Sequence, residues 1–469
     1  MRRLAALFLL AGCDWATDAF LNSIPLEGAR TDDMYVYIAV DGLAPATVRE
    51  AMERGAFSGP QWRASKFITP FPGSSDVAWT RILRTRKMPG YEYEYYDPSN
   101  DTLVNAGLAG LLKHVLPAFS EALSFEAGYL RAFDYRSNGY SHHFGVYSNT
   151  WVSLGESLDE LFFALDGRAE TGSAFLGYLM EGDVLGHIGR REDCADTLLR
   201  LAARIEAFRA AHPRRRFRFT LLSDHGMDFT SMRARNFLDY GEELPRAGIT
   251  PVTSLGGRTE GVYAVPILHV RLMYFALHTH PHLVAEVGRR ASELESVDFA
   301  AGRLGPSRYG LWSGGRLEGT FEHADGAYAL RGDFSRFGVP AGIAAASDEE
   351  LFAFTRHGMY PDLFYRLRTG LSDVGLDFPA DVLVSTRTGW QSAGAIPRPG
   401  GDPDAFITGG AHGGANADGI GALVSEERDL PDAVRADAFL DLFPRLAEHL
   451  RANGIELQPP DADAARPHR

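Results

Sequence analysis

The apolar run Tyr35-Val36-Tyr37-Ile38-Ala39-Val40 stops abruptly at Asp41-Gly42. A short run of this kind, bounded by a turn signal, reads as a buried strand. Pro45 then opens a helix predicted through Arg54, at a position where its missing N–H costs nothing. The same punctuation recurs twice: Ala174–Met180 ends in Glu181-Gly182-Asp183, and Phe217–Leu222 ends in Ser223-Asp224-His225-Gly226. Between them Leu198, Leu199, Leu201, Ile205 and Phe208 keep a helical spacing that predicts a helix over 193–212. Near the C-terminus, Gly419–Val424 reads as a strand and Asp432–Asn453 as one amphipathic helix. Strands alternating with helices predict an α/β fold with a mostly parallel sheet covered on both faces. Such sheets bind ligands at the carboxyl ends of their strands. Asp41, Asp183 and Asp224 each stand just past such an end. From about Ala247 to Val374 the rhythm breaks into a stretch rich in Gly, Arg and aromatics. The expected plan is a core over 33–246 and 375–455, an inserted cap over 247–374 and a polar tail over 456–469.

Composition narrows the class. The 469 residues suffice for a large core without disulfide staples, and the two cysteines do not form a framework. With 47 Lys+Arg against 61 Asp+Glu, the formal net charge is −14, which argues against general nucleic-acid binding. It leaves an anionic substrate open, because a metal ion reverses the field inside a cleft. The N-terminus reads as an address: Arg2 and Arg3 precede an apolar segment, Leu4–Gly12, too short to span a bilayer. Leu10-Ala11-Gly12-Cys13 resembles the lipobox of bacterial lipoproteins, the alternative being an ordinary secretory signal that contains a cysteine. The first reading makes 1–12 a signal peptide, Cys13 a lipidated residue, and 13–32 a tether. It places the protein outside the cytoplasm, in periplasm or cell envelope, with its membrane partner reached through the lipid. Cys194 then has no intramolecular partner and is expected to be a buried thiol.

Four segments carry metal chemistry: Val40-Asp41-Gly42, Asp183-Val184-Leu185-Gly186-His187, Asp224-His225-Gly226-Met227 and Ala411-His412-Gly413-Gly414. Three carboxylates with three imidazoles suit zinc, or manganese, better than cations that prefer all-oxygen shells. No glycine-rich phosphate loop and no Gly-x-Ser-x-Gly elbow is present.

In order and wording these segments resemble the alkaline phosphatase superfamily, in particular its nucleotide pyrophosphatase/phosphodiesterase branch. The resemblance rests on strand-Asp41-Gly42, on Thr69-Pro70-Phe71-Pro72-Gly73-Ser74-Ser75, on Glu181-Gly182-Asp183-Val184-Leu185-Gly186-His187, on Ser223-Asp224-His225-Gly226-Met227 and on Gly410-Ala411-His412-Gly413. It implies an alkaline-phosphatase-like three-layer sandwich and two divalent cations. One cation would be held by Asp183, His187 and His412, the other by Asp41, Asp224, His225 and the oxygen of Ser75. It also implies that Ser75 is the nucleophile of a phospho-enzyme mechanism, with Ser74 as the nearest competitor. Two departures bear on substrate choice. Where the branch carries His-Gly and then an asparagine before Tyr-Asp-Pro, this chain has Pro89-Gly90-Tyr91, with Tyr93 near the asparagine position and Tyr96-Asp97-Pro98 following. Tyr93 is a candidate donor to a phosphate oxygen; Tyr91 to Tyr96 read equally well as an aromatic packing strip. The second departure is Asp76-Val77, where many members carry proline or small polar residues directly after the nucleophile; Asp76 reads as a helix cap in preference to a group that supports the site from behind.

Other clusters are set aside. His278, His280 and His282 alternate as strand residues do but sit in the cap region with no carboxylate in their own motif, and are expected at the surface. His142-His143 is weaker still, and Arg214-Arg215-Arg216 reads as a solvated corner. The function expected is a metal-dependent phosphoesterase acting on a small-molecule phosphate ester or nucleotide, a diester or pyrophosphate before a monoester. The alternatives are a phosphomonoesterase or phospho-group transferase of the same superfamily, and a non-catalytic metal-binding lipoprotein.

Overall fold

The computed structural model describes residues 33–92, 94–104, 128–137, 149–230, 236–238, 240–256, 263–267, 272–372, 375–392 and 409–459. Cys13, the tether, Tyr93 and the His142-His143 pair therefore lie outside the described residues.

The first half of the chain supplies strands β1 (Asp33–Val40), β2 (Arg63–Ile68), β3 (Tyr135–Arg136), β4 (Ala174–Leu179) and β5 (Arg216–Leu222). They are interleaved with helices α1 (Pro45–Glu53), α2 (Ser75–Ile82), α3 (Thr150–Asp166), α4 (Glu181–Ile188) and α5 (Arg191–Ala211). The middle of the chain adds β6 (Thr250–Pro251), β7 (Tyr263–Ile267), β8 (Tyr274–His278), β9 (Val297–Arg303) and β10 (Arg308–Ser313). It continues with β11 (Arg316–Ala324), β12 (Ala327–Gly332), β13 (Ala345–Ser347), helices α6 (Asp348–Thr355) and α7 (Leu363–Gly370), and β14 (Val382–Thr386). β15 (Gly421–Ser425), β16 (Ala433–Arg435), α8 (Phe439–Leu442) and α9 (Pro444–Ala452) complete it.

Two large sheets result. The seven-stranded one has the order β16-β2-β15-β5-β1-β4-β3. Its pairs are parallel except those that β15 makes with β2 and β5. The α/β fold with a mostly parallel sheet is thus the one the alternation predicts. β1 shows why: Met34, Val36, Ile38 and Val40 face a core with α1, α3 and α5 residues, while Tyr37 and Ala39 face Trp79, Phe439 and Phe443. A strand buried on both sides has no polar face to display.

The nine-stranded sheet, β13-β12-β11-β10-β9-β14-β8-β7-β6, occupies the region that lacks strand-helix alternation. Its pairs are antiparallel apart from β6–β7, and two-residue turns join β10 to β11 and β11 to β12. β14, beyond residue 374, is inserted between β8 and β9. One predicted element changes: Asp432–Asn453 is not a single helix. Its first residues form β16, an edge strand parallel to β2, and the helical part is broken before Pro444, which lacks the N–H to continue α8. No helix among the described residues is long and apolar enough to cross a membrane.

Candidate metal centre

β5, β1 and β4 are adjacent and parallel, and their registers pair Ala39 with Leu222 and Val40 with Leu179. The three strands therefore end level, and whatever follows them shares one edge. Asp41 follows β1, Asp224 and His225 follow β5, and Asp183 lies in the first turn of α4 after β4. His187, four residues on, shares the helix face of Asp183, their ligand atoms 3.4 Å apart. The approach is close enough to need glycine. Gly42 sits at φ +74°, and a Cβ there would lie 2.8 Å from the Asp183 Cα.

His412 arrives from the other end of the chain. Its segment is stitched in by main-chain bonds: Asp228 and Ala411 exchange a pair at 2.8 and 3.0 Å, and Gly410 N–H donates to Gly186 O at 2.6 Å. The Nε2 atoms of His187, His412 and His225 lie 3.4, 3.6 and 3.9 Å from Asp183 Oδ1. His225 Nε2 is also 3.1 Å from Asp41 Oδ1 and 3.5 Å from Asp224 Oδ2, and the His225 and His412 rings stack at 3.7 Å. Ligand atoms of Asp183, His187 and His412 fall within 4.8 Å of one another, as do those of Asp41, Asp183 and His225. Asp183 thus stands between the two sets, and Asp224 joins the second through His225.

All three imidazoles are held alike. Nδ1 of His187 donates to Gly410 O at 3.2 Å, that of His225 to Gly226 O at 2.9 Å and that of His412 to Gly73 O at 2.9 Å. A carbonyl only accepts, so Nδ1 carries the proton and Nε2 is turned toward the carboxylates, the arrangement that presets a histidine to bind a metal.

The electrostatics fit cations. Burial and then the charge of Asp41 push the Asp224 carboxyl well above its usual range. Burial pushes His225 down, but the carboxylates of Asp224, Asp41 and Asp183 outweigh it and leave its pKa at about 10. Burial and the neighbouring His225 charge depress His412 to about 3. Asp224 Oδ2 is buried without a hydrogen bond among the described residues. Two buried carboxylates, Asp41 and Asp224, and the half-buried Asp183 face three imidazole nitrogens and call for positive charge between them, and this N/O donor set suits a borderline divalent transition metal.

Of the two serines, Ser74 donates to Tyr91 O at 2.7 Å and is turned away. The Ser75 hydroxyl lies 3.4 Å from Asp41 Oδ1 and 3.3 Å from His225 Nε2. Ser75 is the first residue of α2, whose first-turn N–H groups have no acceptor within the helix.

No family model and no curated protein matches the chain. Among solved structures it is similar to human ectonucleotide pyrophosphatase/phosphodiesterase 5, with 13% identity and a TM-score of 0.49 over 91% of this chain and 96% of that one. The murine counterpart has 10% identity and a TM-score of 0.48 over 91% of this chain and 97% of that one. An inactive variant of the murine protein in complex with AMP gives 10% identity and the same TM-score over 92% and 97%.

Two residues, Asp76 and His278, depart from expectation. Asp76 is not the cap of α2: Ser74 holds that position, and the Asp76 carboxylate accepts from the Tyr129 hydroxyl at 2.8 Å. Tyr91 is buried, donating to Gly370 O at 2.6 Å and accepting from Ala380 N–H at 2.9 Å, and Tyr95 stacks on Phe378. Both belong to packing. Glu181 is fully buried and accepts from Ser137 and Ser157, so it braces α4. His278 is buried rather than at the surface: it ends β8 against the Tyr96 ring, and burial, helped by Arg303, depresses it to about 3. Tyr178, which no sequence motif marks, donates its hydroxyl to Asp41 Oδ2. Its only trace is a phenol inside an otherwise apolar run. Cys194 is a buried free thiol, as expected.

Proposed function

We propose that the chain is a two-metal phosphoesterase that cleaves phosphodiester or pyrophosphate bonds in small molecules or nucleotides through a phosphorylated Ser75. The observation that carries this reading is the Ser75 hydroxyl, set 3.4 Å from Asp41 Oδ1 and 3.3 Å from His225 Nε2 at the start of α2. Divalent cations, zinc or manganese, held by Asp183, His187 and His412 and by Asp41, Asp224, His225 and Ser75, would lower the pKa of the hydroxyl and neutralise charge on the displaced oxygens. Ser75 Oγ forms its bond to phosphorus as the bond to the leaving oxygen breaks. Water then cleaves the phosphoserine and returns Ser75. The N–H groups opening α2 are placed to bond the non-bridging oxygens. The carbonyl bonds on Nδ1 keep the three imidazoles aimed throughout.

The deciding experiment compares kcat/KM for bis(4-nitrophenyl) phosphate and 4-nitrophenyl phosphate on the zinc-loaded full chain, with Ser75→Ala as control. A diester rate well above the monoester rate, lost in the control, supports the reading. A reversed ratio makes the protein a monoesterase, and two bound zincs without turnover of either leave a metal-binding protein. The chain is further proposed to be held outside the cytoplasm by lipid on Cys13. Cell fractionation checks this, since Cys13→Ser should move the protein from membrane to soluble fraction.

A further inference from the structure

Behind Ser75 lies a closed group of aromatic side chains that the proposed chemistry does not use. Trp79, one turn along α2 from Ser75, packs edge-on against Phe133 and Tyr178 at 5.9 and 5.7 Å. Phe133 stacks on Tyr178 at 4.9 Å and meets Tyr129 edge-on at 6.4 Å. All four are buried. The box carries two phenols, and each donates to a carboxylate beside the nucleophile: Tyr129 to Asp76 and Tyr178 to Asp41.

The Asp41 carboxylate is thereby divided. Oδ2 accepts the hydrogen bond from the Tyr178 hydroxyl, while Oδ1 faces Ser75 Oγ and His225 Nε2 at 3.4 and 3.1 Å. The Tyr178 ring is fixed by Phe133 and Trp79, so its hydroxyl is aimed by packing, independently of the carboxylate it meets. A ligand carboxylate that bonds through one oxygen to a fixed donor presents the other in one orientation.

We propose that Tyr178 is a positioning residue that holds Asp41 with Oδ1 turned toward Ser75 and the cation site of Asp41, Asp224 and His225. This rests on the two-metal reading above. Asp41 therefore owes its aim to β4, the neighbouring strand, and to α2, which supplies Trp79.

Zinc titration of the full chain by competition with a chelating dye tests it, on wild type, Tyr178→Phe and Tyr129→Phe. Both variants keep the ring and remove one buried hydroxyl; only the first takes it from a carboxylate of the ligand set. Wild type should show two sites. In Tyr178→Phe one of them should weaken by about 10–100-fold while the other keeps its affinity. Turnover of bis(4-nitrophenyl) phosphate should fall at limiting zinc and recover as zinc is raised. Tyr129→Phe should keep both affinities. Two wild-type affinities in Tyr178→Phe, or equal weakening in both variants, would overturn the proposal and leave the two-metal reading standing. Fewer than two zincs in wild type would overturn that reading, and the proposal with it.

Discussion

At the scale of single residues, the centre is limited by how closely two turns approach. Gly42 combines φ +74° with a space that a Cβ would close to 2.8 Å from the Asp183 backbone. Gly42→Ala should therefore destabilise the protein by at least the ~1–2 kcal/mol that an L side chain costs in this conformation. It should also loosen zinc, because relief pushes Asp41 and Asp183 apart. Urea unfolding of both forms checks this; an unchanged midpoint at equal slope would mean that the turn accepts a side chain. Residues of this kind were legible because the strands end in the dipeptides that carry the chemistry. Tyr178 was not, since its partner Asp41 is 137 positions away in sequence and only the β1–β4 pairing brings them together. The burial of His278 is hidden for a similar reason. Nothing in alternate histidines says which side of β8 the second sheet buries.

At the scale of elements, helical spacing over Asp432–Asn453 hid an edge strand. Val434 is buried on β16, and Arg435 reaches into the protein, pairing with Asp362 and Asp348 beside the Tyr365 ring. Local periodicity does not register a cation whose partners sit on elements some 70–90 residues earlier. Arg435→Ala should cost about 3–5 kcal/mol, the penalty for leaving buried carboxylates unpaired. Denaturant unfolding measures it, and a loss within a few tenths of a kcal/mol would show that Asp348 and Asp362 are satisfied without the guanidinium. The second sheet was readable in part. Gly314-Gly315, at φ +54° and +76°, and Asp325-Gly326, at +52° and +76°, both have the positive φ pair of two-residue hairpin turns. The aromatic and glycine content of that region marks it as distinct, but only the paired strands show that these turns organise a sheet.

At the scale of the whole molecule, the formal net charge of −14 and three carboxylates gathered at one sheet edge, two of them buried, act in the same direction, so cations should stabilise the folded chain strongly. Chelation should lower Tm and zinc should restore it. Each site contributes about 2.7 kcal/mol when free zinc reaches 100 times its Kd. Calorimetry with and without chelator reads this, and coincident transitions would remove the metals from the account. The order of strands and motifs carried most of this architecture into the sequence, because level-ending parallel strands convert positions far apart in the chain into one edge. The main-chain grip on the three imidazoles has a further consequence. Gly410, Gly226 and Gly73 offer main-chain carbonyls, so no neighbouring side chain supplies a latch, but a Cβ at Gly226 would meet Asp418 O at 2.1 Å and one at Gly410 would meet Asp228 O at 2.8 Å. The aim of the histidines is thus exposed to mutation chiefly at those two glycines, and side chains elsewhere around the centre can change while the imidazoles stay set.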